Sequence, residues 1–211
     1  MRKVIIIVFA TAIFLTGNVL AIDAAGSAFG CLTTAKALGQ GKGYLGGGIG
    51  LGDNATSFFG SFDYGLSAYT NGRLRLGIYD PDAGDAGLVL GGDFRYQMLS
   101  IAEDPDNPFD LAPGGFLEYI DFEGGSVFEI GAMVIGSYPF ETSSGKILAP
   151  YARFNLRMEH YSPDGGGSES ELKFGFNGGV CFEVSDLIKL YGEFQLDGND
   201  GLFFGIDYNV L

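Results

Sequence analysis

From residue 43 onward the chain alternates apolar and polar side chains at every second position. The stretch PYARFNLRMEHYS, residues 150–162, is typical. Ala152, Phe154, Leu156 and Met158 form one set, and Tyr151, Arg153, Asn155, Arg157 and Glu159 the other. A period of two is that of a β-strand with two differently solvated faces. The same pattern, broken by Gly, Asn, Asp and Pro, predicts strands over 43–52, 57–67, 73–79, 87–99, 115–122, 126–138, 148–161, 171–184, 187–196 and 201–211. The turn signal Thr70-Asn71-Gly72 separates the second from the third, because Asn and Gly accept positive φ. The segment 115–122 is short and ambiguous in phase. No helix-length pattern falls between strands, so crossover connections are excluded. Only 31–38 (CLTTAKAL) has the composition for a turn or two of helix. Ten consecutive strands of this kind predict an all-β fold, an antiparallel up-and-down barrel closed on itself. Eight strands is the alternative if 115–122 is misread.

Sorted by parity, one face carries residues such as Leu45, Phe58, Phe62, Leu74, Leu76, Leu88, Leu90, Phe128, Ile130, Phe174, Phe204 and Ile206. The other carries Asp63, Arg73, Arg75, Asp93, Arg95, Glu129, Arg153, Arg157, Glu159, Lys173, Lys189, Glu193 and Asp207, with Gln97, Asn155, Asn177 and Gln195 and many glycines. Every Lys or Arg inside a strand is on the polar face. Two architectures fit. A secreted lipocalin-like barrel would turn the apolar face inward. An outer-membrane barrel would turn it to lipid and keep a polar lumen. Parity alone does not choose. The continuous Phe-rich face, the glycines among the polar set, and the near balance of Arg and Lys with Asp and Glu favour a closed polar interior. Tyr64, Tyr96, Tyr138 and Tyr208, near strand ends on the apolar face, fit an interfacial girdle.

Composition adds the compartment. Residues 1–3 (MRK) are basic, 4–15 are apolar, and small residues end at Ala21, the layout of a cleaved secretory signal peptide over 1–21. The apolar run is too short for a spanning helix, which needs about 20 residues. The expected organisation is therefore a signal peptide, a periplasmic N-terminal segment over 22–40, and a barrel over 41–211. The chain has 36 Gly, 19 Phe, 11 Tyr and no Trp, as strands and tight turns require. Its formal charge of −14 becomes −16 once Arg2 and Lys3 leave with the signal, which excludes ordinary nucleic-acid binding.

The signal sequence, the opening GYLGGGIGLG, the hairpin FDYGLS…NGRLRLG and the closing KLYGEFQLDGNDGLFFGIDYNVL resemble small bacterial outer-membrane β-barrel proteins. The likeness is one of pattern over most of the chain. It implies residence in the outer membrane of a Gram-negative cell envelope, with membrane lipid and the barrel-assembly machinery as partners. Such barrels usually end in an aromatic residue, whereas Leu211 stands here, out of phase by one. The resemblance implies a structural or surface role with a charged, largely filled lumen; a porin-like narrow channel for small solutes and a soluble lipocalin-like binder are the alternatives.

No motif argues for catalysis, a cofactor or a metal. GxGxxG at 41–46 lacks the following helix that a pyrophosphate site needs. The single histidine, His160, has Glu159 and Ser162 near it but no nucleophile motif. The Asp/Gly-rich loops 80–85, 162–170 and 197–201 read as solvated turns; none has the spacing of a calcium loop. Cys31 and Cys181 are left. Both are placed at the periplasmic mouth by a ten-strand topology, so either a disulfide pins 27–38 across that mouth or the two remain separate thiols.

Overall fold

The computed structural model describes residues 26–82 and 84–211. The expected signal peptide lies outside the described residues. Ten strands make the wall: β1 (Gly43–Gly52), β2 (Ala55–Gly65), β3 (Thr70–Pro81), β4 (Gly87–Tyr96), β5 (Asp110–Phe122), β6 (Gly125–Ser137), β7 (Ile147–Pro163), β8 (Glu169–Glu183), β9 (Ile188–Leu196) and β10 (Gly201–Asn209). Each pairs antiparallel with its neighbours in sequence, and β10 returns to pair with β1 along its whole length, Tyr44 opposite Asn209 and Gly52 opposite Gly201. The ring is closed, so no strand edge is left to be satisfied. The two-residue Phe140–Glu141 adds a short ladder on the start of β7. The eight-strand alternative falls, because β5 pairs with β6 along its whole length and with β4 from Gly114 to Asp121. Its phase was obscured by Pro113, Gly114 and Gly115. Beyond them Phe116, Glu118 and Ile120 face inward, while Leu117 and Tyr119 face outward.

One expected turn is displaced. Residues 70–72 belong to β3, with Gly65 opposite Asn71 and Tyr64 opposite Gly72. The turn is at 66–69, where the Leu66 and Ser67 N–H groups donate to the Thr70 carbonyl. Asn71 is held in the wall because its side chain faces inward and is needed there.

The faces are sorted without ambiguity. Outward residues include Phe174 at 76% exposure, Leu74 at 67% and Leu88 at 63%, whereas Arg75, Arg153, Arg157, Glu118 and Glu129 are each at 2% or less. This is the reverse of the lipocalin-like arrangement, which is thereby overturned. Tyr64, Tyr96, Tyr138 and Tyr208 ring the outside at the end where β1 begins and β10 finishes, here called the terminal end.

The largest departure concerns the chain before β1. The stretch 22–40 was expected outside the barrel, with some helix. Residues 26–38 instead run down its interior in an irregular extended path, from the far mouth to the terminal mouth. Ala28, Phe29 and Cys31 are fully buried. No helical turn forms, because the backbone groups of this stretch bond to side chains of the wall rather than to one another. The longest connection, 97–109, lies over the terminal mouth. There Gln97, Ser100, Glu103 and Asp110 line a cavity of about 290 Å³ with Lys36, Ala37 and Leu38.

Candidate functional site: the barrel lumen and its resident segment

Inward side chains of six strands, with the β9–β10 turn and the start of the 97–109 connection, grip the backbone of the resident segment. Near the far mouth, Asp197 Oδ2 accepts from Ser27 N–H at 3.3 Å, Glu118 accepts from Ala28 N–H at 3.1 Å and from the Ser27 hydroxyl at 2.8 Å, and Gln195 Nε2 donates to the Ser27 carbonyl at 2.8 Å. The Ser57 hydroxyl donates to the Ala28 carbonyl at 2.6 Å. At mid-height Arg75 donates to the Gly30 carbonyl, and Arg73 to the carbonyls of Cys31 and Leu32. Toward the terminal mouth Ser137, Gln97 and Asn71 accept from the N–H groups of Ala35, Ala37 and Leu38.

Glu193 is the centre of this arrangement. Its two oxygens accept from Cys31 N–H at 2.6 Å, Leu32 N–H at 2.8 Å, Tyr151 Oη at 2.7 Å and Asn177 Nδ2 at 2.7 Å. Gly30 and Leu32 have positive φ, +64° and +42°, on either side of Cys31. That alternation aims successive N–H groups at one point and makes an anion-binding nest, filled here by the protein's own carboxylate. The left-handed conformation is costly for a leucine, and four donors on one carboxylate hold it in place.

Two ionic clusters flank the segment. On β2, β3 and β4, three arginines share two aspartates. Arg73 meets Asp93 at 2.7 Å and Asp63 at 3.9 Å, and Arg95 meets Asp63 at 3.0 Å and Asp93 at 3.2 Å. Arg75 reaches Asp93 and Glu118, each at 3.4 Å. Cross-strand register builds this lattice, since Asp63 lies opposite Arg73 and Arg73 opposite Asp93. The second cluster gathers three carboxylates on one cation. Arg157 meets Glu129 at 3.3 Å and Glu159 and Asp197 at 3.4 Å, and it donates to the Asp197 carbonyl at 2.6 Å. Here Glu118, Glu129 and Glu159 stand opposite one another on β5, β6 and β7. Directly opposed like charges on neighbouring strands are unfavourable. Both oxygens of Glu129, Asp197 Oδ1, Arg157 Nε and Asn155 Nδ2 are buried without a hydrogen-bond partner. Asp197 sits in the turn beyond β9, and burial pushes its carboxyl up to about 6 against the opposing pull of Arg157 and Arg153.

The remaining expected residues divide. Arg153 is buried, but it bonds to Asn177 at 2.8 Å and to the Gly30 carbonyl at 3.5 Å, and lies over the Phe116 ring, rather than meeting a carboxylate. Lys173 pairs with Glu171, and Lys189 with Glu183 at 3.8 Å; both are only half-buried and lie apart from the two clusters. Asp207 is bonded by Tyr191. Cys31 and Cys181 are both buried and unbonded. Cys31 is held at the level of Glu193, whereas Cys181 is opposite Tyr191, two residues closer to the terminal end. Of the two readings of the cysteines, the structure has the separate thiols, and the nest pins the segment. On the outer surface His160 Nδ1 lies 2.8 Å from Ser170 Oγ across the strand pair, not beside Ser162, while Glu159 points inward to Arg157. Glu118, Asp197 and Phe29, with Ser57, Asn71 and Ser137, lie in the lumen but were not marked by the strand pattern alone.

No protein-family model and no curated protein sequence matches the chain. Among solved structures it is similar to the β-domain of the Bordetella autotransporter BrkA, at 13% identity over 81% of this chain and 98% of that one, TM-score 0.49. It is also similar to the N-terminal β-barrel domain of Pseudomonas aeruginosa OprF, at 12% identity over 82% and 99%, TM-score 0.40. A third similar structure is the attachment invasion locus protein Ail of Yersinia pestis, at 9% identity over 81% and 99%, TM-score 0.29.

Proposed function

We propose that this chain is an outer-membrane β-barrel whose lumen is closed by its own residues 26–38, with a structural or surface role rather than transport or catalysis. The observation that carries this reading is the inversion of the two faces. A continuous belt of exposed Phe, Leu, Ile and Tyr surrounds a ring whose backbone is paired throughout, and the charges lie inside. Only a hydrocarbon solvent makes that distribution favourable, because in water the belt would aggregate. Membrane lipid and the barrel-assembly machinery are the partners this reading requires.

Closure follows from the burial of Phe29, Cys31 and the arginines on either side of them. Three measurements test the whole. The protein should partition into detergent with the outer-membrane fraction. It should migrate faster on gels unheated than boiled. In planar bilayers the full chain should give no steady conductance. Recovery in the aqueous fraction would overturn the membrane assignment. Stepwise, solute-dependent conductance would replace the closed barrel with the narrow channel.

A further inference from the structure

The lumen recognises its occupant by more than backbone groups. Phe29 is fully buried, edge-on to Phe59 with centroids 5.1 Å apart, and the Arg75 guanidinium lies 4.6 Å from its ring centre. Gly91 forms the floor: a Cβ there would come within 2.7 Å of the ring. The following residue must be glycine. Gly30 has φ +64°, and a Cβ on it would meet Glu193 Oε1 at 2.7 Å and the Phe203 ring at 3.0 Å. Apart from the Ser27 hydroxyl on Glu118, the wall's hydrogen bonds to the rest of the segment go to main-chain N–H and C=O groups, which any peptide offers. An anchored aromatic side chain within backbone-directed hydrogen bonds is the anatomy of a peptide-binding groove. The link to the wall is short and exposed at residues 40–42, tied to the end of β2 by the Gly41 N–H on the Gly65 carbonyl and the Gly65 N–H on the Lys42 carbonyl.

We propose that the lumen is a peptide-binding site selective for an extended segment in which an aromatic residue is followed by glycine, and that residues 26–38 are its occupant in cis, exchangeable with a peptide of the same pattern. The proposal rests on the closed-lumen reading in that the site is the same, but its test does not depend on conductance.

A specific protease site is inserted after Gln40 in the full chain, and the protein is cut only after it has folded in detergent. A labelled synthetic peptide of residues 26–38 is then titrated and followed by anisotropy. Saturable uptake, with release of the cut segment, is expected. A peptide carrying Phe29→Ala should bind at least about tenfold more weakly, as truncation of a buried aromatic anchor does. A Gly30→Ala peptide should be weakened similarly. A cut barrel that keeps its heat-dependent gel shift yet takes up no peptide overturns the proposal, and so does equal binding of the Phe29→Ala peptide. Should the insertion disturb folding, trypsin acting on the unmodified folded chain at exposed Lys36 or Lys42 severs residues 26–36 from the wall, and mass spectrometry identifies the bond cut. Conductance by the uncut chain would sink the closed-lumen reading while leaving peptide uptake as a separate result.

Discussion

The two ionic clusters of the lumen are built from the same residue types and behave as opposites. On β2, β3 and β4 three arginines serve two aspartates, with Glu118 as a further partner of Arg75, so each aspartate has more than one cation within 4 Å. Around Arg157 three carboxylates share one cation, and most of the buried polar atoms without hydrogen-bond partners among the described residues lie there. Register explains the difference. The first cluster alternates sign across neighbouring strands, and the second repeats one sign from β5 to β7. A redundant lattice tolerates loss of a member. A hub with a single cation does not, because removing it strands buried charge.

The sharpest way to break this contrast is to remove each cation in turn. Arg157→Leu removes the cation that Glu129, Glu159 and Asp197 share and should cost about 3–5 kcal/mol in urea unfolding from lipid vesicles. Arg95→Leu should cost only about 1–2 kcal/mol, since Arg73 still reaches Asp63 and Asp93. Equal losses would show the clusters to be equivalent.

Acidity sharpens the comparison from the other side. Asp197 has a folded-state value raised above that of the unfolded chain, to about 6. The native state therefore holds its proton more tightly, and stability falls as pH rises through about 6. Moving from pH 5 to pH 7.5 should destabilise the wild type by about 1–2 kcal/mol, and the Asp197→Asn variant should lose that slope. The smallest effect is expected from Glu129→Gln. It removes one crowded negative charge while Arg157 keeps two partners, so stability should change by no more than about 1 kcal/mol, with a gain the expected sign. A loss of several kcal/mol would mean that Glu129 is an essential partner rather than a surplus one.

The wall was legible in the sequence because a barrel strand repeats one rule every second residue. Asp63, Arg73, Arg75, Asp93, Arg95, Glu129, Arg153, Arg157, Glu159 and Glu193 all face inward, as their parity requires. Glu118 was hidden where Pro113 and two glycines interrupt the alternation. Asp197 was hidden because an Asp-Gly-Asn-Asp-Gly turn reads as solvated, whereas Ser27 and Arg157 draw its side chain into the lumen. The resident segment had no local signature at all. Its 26–38 stretch has neither period two nor period 3.6, since its partners are not its own neighbours. They lie far along the chain, and only the closed ring brings them together. The cysteines show the same limit: topology placed Cys181 correctly on the inner face, but the path of Cys31 depended on contacts that no spacing encodes.

That path has a consequence for the order of assembly. Ser27 is bonded to Asp197, 170 positions later in the chain, and to Gln195, 168 positions later. Residue 27 is therefore held by groups at and beyond the end of β9, far later in the chain. The β1–β10 pairing that closes the wall and the hydrogen bonds on Ser27 both join early residues to late ones. Contacts so distant in sequence form late and slowly.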